Sequence, residues 1–225
     1  MVLSFFKKGD EGGLDHVAAR AVSMLGEARH SFDLATSALL DGADPDALEA
    51  DILETDGRIN DAEQELRSEL VVHVSVHGTH EIGSVMGFTL LLKKIERIGD
   101  QAKNLLDLVR EAGPFTGAPD IADLRADRSA VSGLFSEAAE LLAESTEDEV
   151  EEFRVRVSAA TAKYQEQINE YMHSTEPANI VVRRAIYARY LKRIVANLQG
   201  VVTVSSEPIQ HVDYLDDGET DISDD

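Results

Sequence analysis

The sequence predicts an all-α protein built from two related, antiparallel three-helix bundles. Apolar residues recur every three or four positions along most of the chain, which is the period of an amphipathic helix. Aromatic residues make up only 5% of the 225 residues, tryptophan is absent and there are five prolines. This composition is typical of helices packed through aliphatic side chains and disfavours an all-β sandwich.

Three long helices are predicted in the first half. The first covers residues 14–40. Asp44 and Pro45 then form a helix-start signal, because aspartate can accept an orphan backbone N–H and proline is tolerated at the first helical position. The second helix therefore covers residues 45–76. A third follows, and its apolar seam has the 3-4 spacing of packed helices: Val85, Phe88, Leu92, Ile95, Gly99, Ala102, Leu106 and Val109.

A linker rich in glycine and proline at residues 113–119 separates the halves. Three more helices follow it, at residues 120–143, 147–172 and 177–204. A shift of 96 positions superimposes parts of the two halves, and the matching pairs include Thr79 with Thr175, Val85 with Val181, Arg97 with Arg193 and Ile98 with Ile194. We therefore expect a bundle at residues 1–113, a second bundle at 114–207 and an acidic, disordered tail at 208–225.

Charge and composition exclude several classes of function. The formal net charge of −22 gives no electrostatic basis for binding nucleic acid. Because cysteine is absent, any metal must be held by carboxylate, imidazole or amide groups. No apolar run is long enough to span a membrane, so we expect a cytoplasmic protein. The start of the chain, residues 1–8, is expected to pack on the bundle rather than to contact a membrane.

Two carboxylates interrupt the apolar seam of the second helix. In a heptad reading, Asp56 and Glu63 occupy core positions, and Asn60 lies on the same side. An unpaired buried carboxylate is costly, so each needs a cation, hydrogen-bond donors or an exposed edge. Oxygen ligands of this kind suit magnesium, manganese, calcium or iron.

The third helix carries another acidic pair. Glu96 and Asp100 are four residues apart and therefore stack on one face, while Gly99 in the seam indicates that a neighbouring helix or ligand comes close. Carboxylates that face each other on adjacent helices can form a metal site. The alternative is a set of ion pairs, in which Glu96 pairs with Lys93 or Arg97, Asp100 with Lys103, and Asp56 with Arg58 or a cation of another helix.

These residues also carry a family resemblance. The run L-L-K-K-I-E-R-I-G-D-Q-A-K-N at residues 91–104 resembles the signature of the PhoU family, whose third helix in each half has a Glu-Arg-Ile-Gly-Asp run. The D-x-x-x-N-x-x-E pattern of the second helix resembles the matching motif. The resemblance implies a surface site for a divalent or trivalent ion (iron, zinc, manganese or magnesium), with these ligands: Asp56, Asn60, Glu63, Glu96 and Asp100.

The resemblance further implies a regulatory role. PhoU proteins are dimer-forming cytoplasmic regulators that restrain phosphate uptake and contact phosphate transporters and the sensor kinase of the phosphate-starvation response. We accordingly expect a homodimeric regulator, not an enzyme, whose partner is a phosphate transporter or a sensor histidine kinase. Two alternatives stay open: a metal-dependent, carboxylate-bridged enzyme, and a structural helical bundle without a ligand.

The second half departs from the family motif. Lys192, Val195 and Ala196 replace the Glu, Gly and Asp of the signature, so we expect a metal centre in the first half only. A basic stretch takes its place: Arg183, Arg184, Arg189, Lys192 and Arg193. It either pairs with acids at residues 147–152 and elsewhere, or forms a docking face for an acidic partner or a phosphate group.

The second helix ends in closely spaced histidines. His73, His77 and His80 would lie on one side of a continuous helix, as in a metal site. Gly78 interrupts that geometry. Imidazoles that interact with the negative end of the helix dipole are therefore the favoured interpretation.

Overall fold

A computed structural model describes residues 14–206, apart from the side chains of His80, Ser205 and Ser206. The described chain is built from long α-helices joined by short connections, and the predicted all-α class is confirmed. The expected packing of residues 1–8 and the expected acidic tail at 208–225 lie outside the described residues. The helices are α1 Asp15–Asp41, α2 Pro45–His77, α3 Ile82–Ala112, α4 Ile121–Ala143, α5 Glu147–His173 and α6 Ala178–Ser206, with a short 3-10 helix, Thr79–Glu81, before α3.

Local signals in the sequence set the ends of the helices. The side chain of Asp44 accepts the N–H of Asp46 at 3.1 Å at the start of α2. Gly78 ends α2 with a φ of +86°, a conformation that glycine adopts without steric cost. At the start of α5, Thr146 and Glu149 form a capping box, in which each side chain bonds the backbone N–H of the other.

The two halves share one apolar core. Helices α1, α2 and α3 pack against one another, and α6 packs against both α4 and α5. The halves then meet along two further contacts, α3 against α6 and α1 against α4. Between α1 and α4, the ring centres of Phe32 and Phe135 lie 5.5 Å apart. Buried side chains from all six helices form a single hydrophobic cluster.

The linker between the halves is fixed by specific contacts. Phe115 is buried, and its N–H donates to the carbonyl of Leu39 at 2.7 Å. The guanidinium of Arg183 donates to the carbonyl of Pro114 at 2.7 Å and lies 4.5 Å above the Phe115 ring. The edge of that ring also meets Tyr187, with the ring centres 5.9 Å apart. The linker is therefore anchored to both α1 and α6.

Among the helices of residues 14–206, none has the length and apolar content that crossing a membrane requires.

Candidate functional site

One ammonium group joins two of the predicted metal ligands. The Nζ of Lys103, on α3, lies 2.8 Å from Oδ2 of Asp56 on α2 and 3.2 Å from Oδ1 of Asp100 on α3. Asn60 donates to the same oxygen of Asp56 at 3.2 Å. Partial burial lowers the pKa of Lys103, but the hydrogen bonds to the two carboxylates outweigh it and the net shift is upward from 10.5. Lys103 is therefore a permanent cation at neutral pH.

Gly99 allows α2 and α3 to approach at this point. A Cβ atom at Gly99 would lie 3.3 Å from Cδ1 of Ile59 and 3.9 Å from Oδ1 of Asp56. The first distance is tighter than ordinary van der Waals contact. The glycine in the seam therefore marks the close approach of a neighbouring helix, one of the two possibilities that the sequence indicated.

Glu63 and Glu96 each have a separate cationic neighbour. An Oε1 to Nη2 distance of 3.2 Å joins Glu63 to Arg67, and Oε2 of Glu96 lies 2.7 Å from Nζ of Lys93. The side chains of the two glutamates are only 9% and 14% exposed. Both oxygens are buried, and neither accepts a hydrogen bond of good geometry from the described residues, so each is held mainly by the charge of its neighbour.

The five predicted ligands are thus only partly brought together. Asp56, Asn60 and Asp100 surround Lys103, whereas Glu63 and Glu96 have cations of their own. In the described part of the chain, no group of three or more histidine or acidic side chains is arranged to hold a metal ion. The contacts follow the ion-pair alternative, because Asp56 is neutralised by a cation of another helix, Lys103. Arg58 instead contacts Glu54 and Glu27.

The donor set nevertheless has the chemistry that a hard metal ion requires. Two carboxylates from adjacent helices converge on one positive charge, and two further glutamates each keep a buried oxygen without a hydrogen bond. Such oxygen ligands fit magnesium, manganese or iron. The metal centre stays a prediction. A metal ion bound between Asp56 and Asp100 would take over the positive charge that Lys103 now supplies.

The second half contains an ion pair that the sequence reasoning missed. Asp127 on α4 is 2% exposed, forms an ion pair with Lys163 on α5, and accepts a hydrogen bond from Gln167 at 3.2 Å. A signal was present, because Asp127 lies between Leu124 and Val131 in the apolar seam of α4. The buried phenol of Tyr164 is next to this pair; burial, and then the charge of Asp127, raises its pKa.

The basic stretch on α6 divides into two parts. Arg183 binds the linker, and Arg184 forms an ion pair with Asp120 and lies 3.8 Å from Glu176. Arg189 and Arg193 are exposed and form no ion pair with any residue between 14 and 206. Three of the acids at 147–152 instead contact residues of their own segment: Glu149 contacts Thr146, Glu151 contacts Arg154 and Glu152 contacts Arg156. The two outer arginines are therefore available to a partner.

The histidines at the end of α2 pack together. The rings of His73 and His77 stack with their centres 4.4 Å apart, and the Nε2 atom of His73 is hydrogen-bonded to the carboxylate of Glu81. Gly78 ends the helix directly after His77. His73 is thus paired with a carboxylate next to the 3-10 helix.

A family model matches the first half of the chain. Residues 21–109 match the model described as the PhoU domain. This part of the chain is therefore similar to a PhoU domain. The matched region takes in most of α1 to α3, and with them all five predicted ligands and Lys103.

The likeness of fold to a PhoU protein extends over both halves. The crystal structure of PhoU from Pseudomonas aeruginosa is similar with a TM-score of 0.73, over 90% of this chain and 96% of that one. The two sequences are 20% identical, so this likeness shows a shared fold. A comparison with curated proteins found no match. The shared fold therefore continues past the matched region into the half that lacks the motif.

Proposed function

We propose that this protein regulates phosphate uptake or phosphate-starvation signalling, and that it acts in the cytoplasm through contacts with other proteins rather than by catalysis. The observation that carries the proposal is the match of residues 21–109 to the PhoU domain. The similarity of the fold to a PhoU protein over 90% of the chain supports it. The partner that we propose is a phosphate transporter or a sensor histidine kinase, and we propose a homodimer as the working form.

Exposed apolar side chains support a role in protein contacts. Val76 and Met86, on either side of the α2–α3 turn, are 73% and 52% exposed. Met172 and Val182 lie on either side of the α5–α6 turn, each 96 positions later, and are 65% and 54% exposed. Large apolar side chains that stay in water on a strongly acidic protein are candidates for an interface. Their recurrence at equivalent positions points to two similar contact surfaces.

The proposed metal centre would support this role structurally. A divalent ion held by Asp56 and Asp100 would supply positive charge and oxygen coordination between α2 and α3. Asn60, Glu63 and Glu96 would complete its ligands or orient them. The residues of this chain would then fix the angle between two helices of the matched region, which is the part of the protein that would meet a partner.

The role can be tested in the organism that encodes the protein. The gene would be deleted, and phosphate uptake and the expression of phosphate-starvation genes measured in phosphate-rich medium. If the protein restrains uptake, phosphate uptake and starvation-gene expression should both rise in the deletion strain. A tagged copy of the protein should bring both back to the wild-type level and should capture a transporter or kinase. Val76→Ser/Met86→Ser should weaken the capture, whereas Leu53→Ser, a control on another exposed apolar residue, should not. Unchanged uptake and signalling in the deletion strain would contradict the role.

A further inference from the structure

We propose that Lys103 competes with a divalent metal ion for the carboxylates of Asp56 and Asp100. The chain then neutralises its α2–α3 site without a metal, and an ion binds only when the Lys103 ammonium withdraws. This proposal rests on the metal centre of the proposed function. It assigns control of that centre to Lys103, which is not one of the predicted ligands.

The geometry places the two cations at the same position. The ammonium contacts one oxygen of each aspartate, on two different helices, at 2.8 and 3.2 Å. An ion that used these oxygens would occupy the space of Nζ or lie in direct contact with it. Two positive charges at such a distance repel strongly in a partly buried site. Ammonium and metal therefore exclude each other.

The surroundings provide a second place for the displaced ammonium. Lys103 is 31% exposed and lines an open groove together with Glu49, Asn104 and Asp107. Asp107 is exposed and lies one helical turn beyond Lys103 on the same helix, a spacing at which lysine and aspartate can pair. Withdrawal from Asp56 and Asp100 thus leaves Lys103 beside another acid, which lowers the cost of the exchange.

Lys93 offers a matched comparison within the same helix. It contacts Glu96 three residues away and is 40% exposed, so it pairs with a predicted ligand without linking α2 to α3. Loss of Lys93 removes one positive charge from the same region. It does not vacate the position between Asp56 and Asp100.

The test uses Mn²⁺ alone, added to the full chain after treatment with a chelator. Free Mn²⁺ would be followed by electron paramagnetic resonance for the wild type, Lys103→Gln, Lys93→Gln and the double variant Lys103→Gln/Asp56→Asn. Thermal unfolding with and without Mn²⁺ would be recorded in parallel. Lys103→Met, which keeps the apolar stem, replaces the glutamine variant if that variant does not fold.

We expect Lys103→Gln to bind Mn²⁺ at least about tenfold more tightly than the wild type. Its unfolding temperature should fall in chelator and recover with Mn²⁺, because an ion that binds the native state stabilises it. Lys93→Gln should change the affinity much less, and Asp56→Asn should abolish the gain. Equal affinity in the wild type and Lys103→Gln would overturn the competition. Absence of binding in every variant would overturn the metal centre as well, while uptake and partner capture would still decide the regulatory role.

Discussion

The side chain of Lys94 on α3 lies directly against the backbone of Gly200 on α6. A Cβ atom at Gly200 would be 2.8 Å from Nζ of Lys94 and still closer to Cδ and Cε, although Cβ atoms essentially never come within 3.0 Å of a neighbour. Lys94 is only 6% exposed. The far end of the buried Lys94 side chain therefore fills the space beside Gly200, at the contact between the two halves.

Replacing this glycine should be costly compared with a glycine in open surroundings. Gly26→Ala, where nothing lies within 4 Å of the added methyl, should stabilise the protein by about 0.5–1 kcal/mol through helix propensity. Gly200→Ala should instead destabilise it by about 1–3 kcal/mol, because the buried Lys94 must move. Urea unfolding would measure both. Adding Lys94→Ala to Gly200→Ala should recover part of the loss, and strict additivity of the two changes would contradict the contact.

Arg183 should not be replaceable by lysine. Its guanidinium donates to two linker carbonyls, of Gly113 at 3.2 Å and of Pro114 at 2.7 Å, and stacks on Phe115. A lysine ammonium cannot reproduce this planar arrangement. Arg183→Lys should therefore lower the free energy of unfolding by about 1–2 kcal/mol. Arg189→Lys, on the exposed part of α6, is the control and should stay within about 0.5 kcal/mol of the wild type.

The capping box of α5 should contribute stability that depends on pH. Hydrogen bonds from the backbone and then the hydroxyl of Thr146 lower the pKa of Glu149 from 4.5. A carboxylate whose pKa is lowered by folding stabilises the native state above its unfolded pKa, and this contribution disappears as the pH falls through the folded value. The difference in urea midpoint between wild type and Glu149→Gln should thus be present at pH 6 and shrink below pH 4.5. A difference that does not vary with pH would argue against the capping interaction.

Three tyrosines should resist ionisation in the native protein. Burial raises the pKa of Tyr164, Tyr171 and Tyr187 above 10, and the charge of a nearby acid adds to it for Tyr164. Absorbance at 295 nm is a clean reporter, because the chain has five tyrosines and no tryptophan. In urea all five should titrate near pH 10, whereas the folded protein should show a smaller amplitude there.

The direction of the stability effect follows from the same shift. A group whose pKa is raised by folding contributes fully to the stability of the native state below its unfolded pKa. This contribution is lost as the pH rises through the folded pKa. The protein should therefore unfold more readily as the pH is raised above 10. Tyr164→Phe should reduce that alkaline loss, and full tyrosine ionisation in a chain that remains folded would contradict the burial of these rings.

The helices could be predicted from the sequence because their signals are local. The seam of α3, the cap at Asp44 and the glycine at position 78 each act within a few residues, so element ends agree closely with the prediction. The candidate site was harder to predict. Asp56 and Asp100 were placed near each other by the helix pattern, but the identity of the cation between them depends on side chains 47 positions apart.

The same limitation explains the missed pair in the second half. In the second half, the positions equivalent to the motif of α2 and α3 lie on α5 and α6, whereas the buried carboxylate comes from Asp127 on α4. Hydrophobic periodicity shows that a position faces inwards. It does not show which neighbouring helix supplies the partner, because that depends on the rotation and offset of packed helices.

Through the contact between α3 and α6, the second half has a structural role that needs no ligand. It covers the apolar side of the helix that bears the Glu-Arg-Ile-Gly-Asp run, and so removes that surface from water. Because this contact buries part of the shared core, the second half should be required for the first half to fold, even though it lacks the Glu-Arg-Ile-Gly-Asp run.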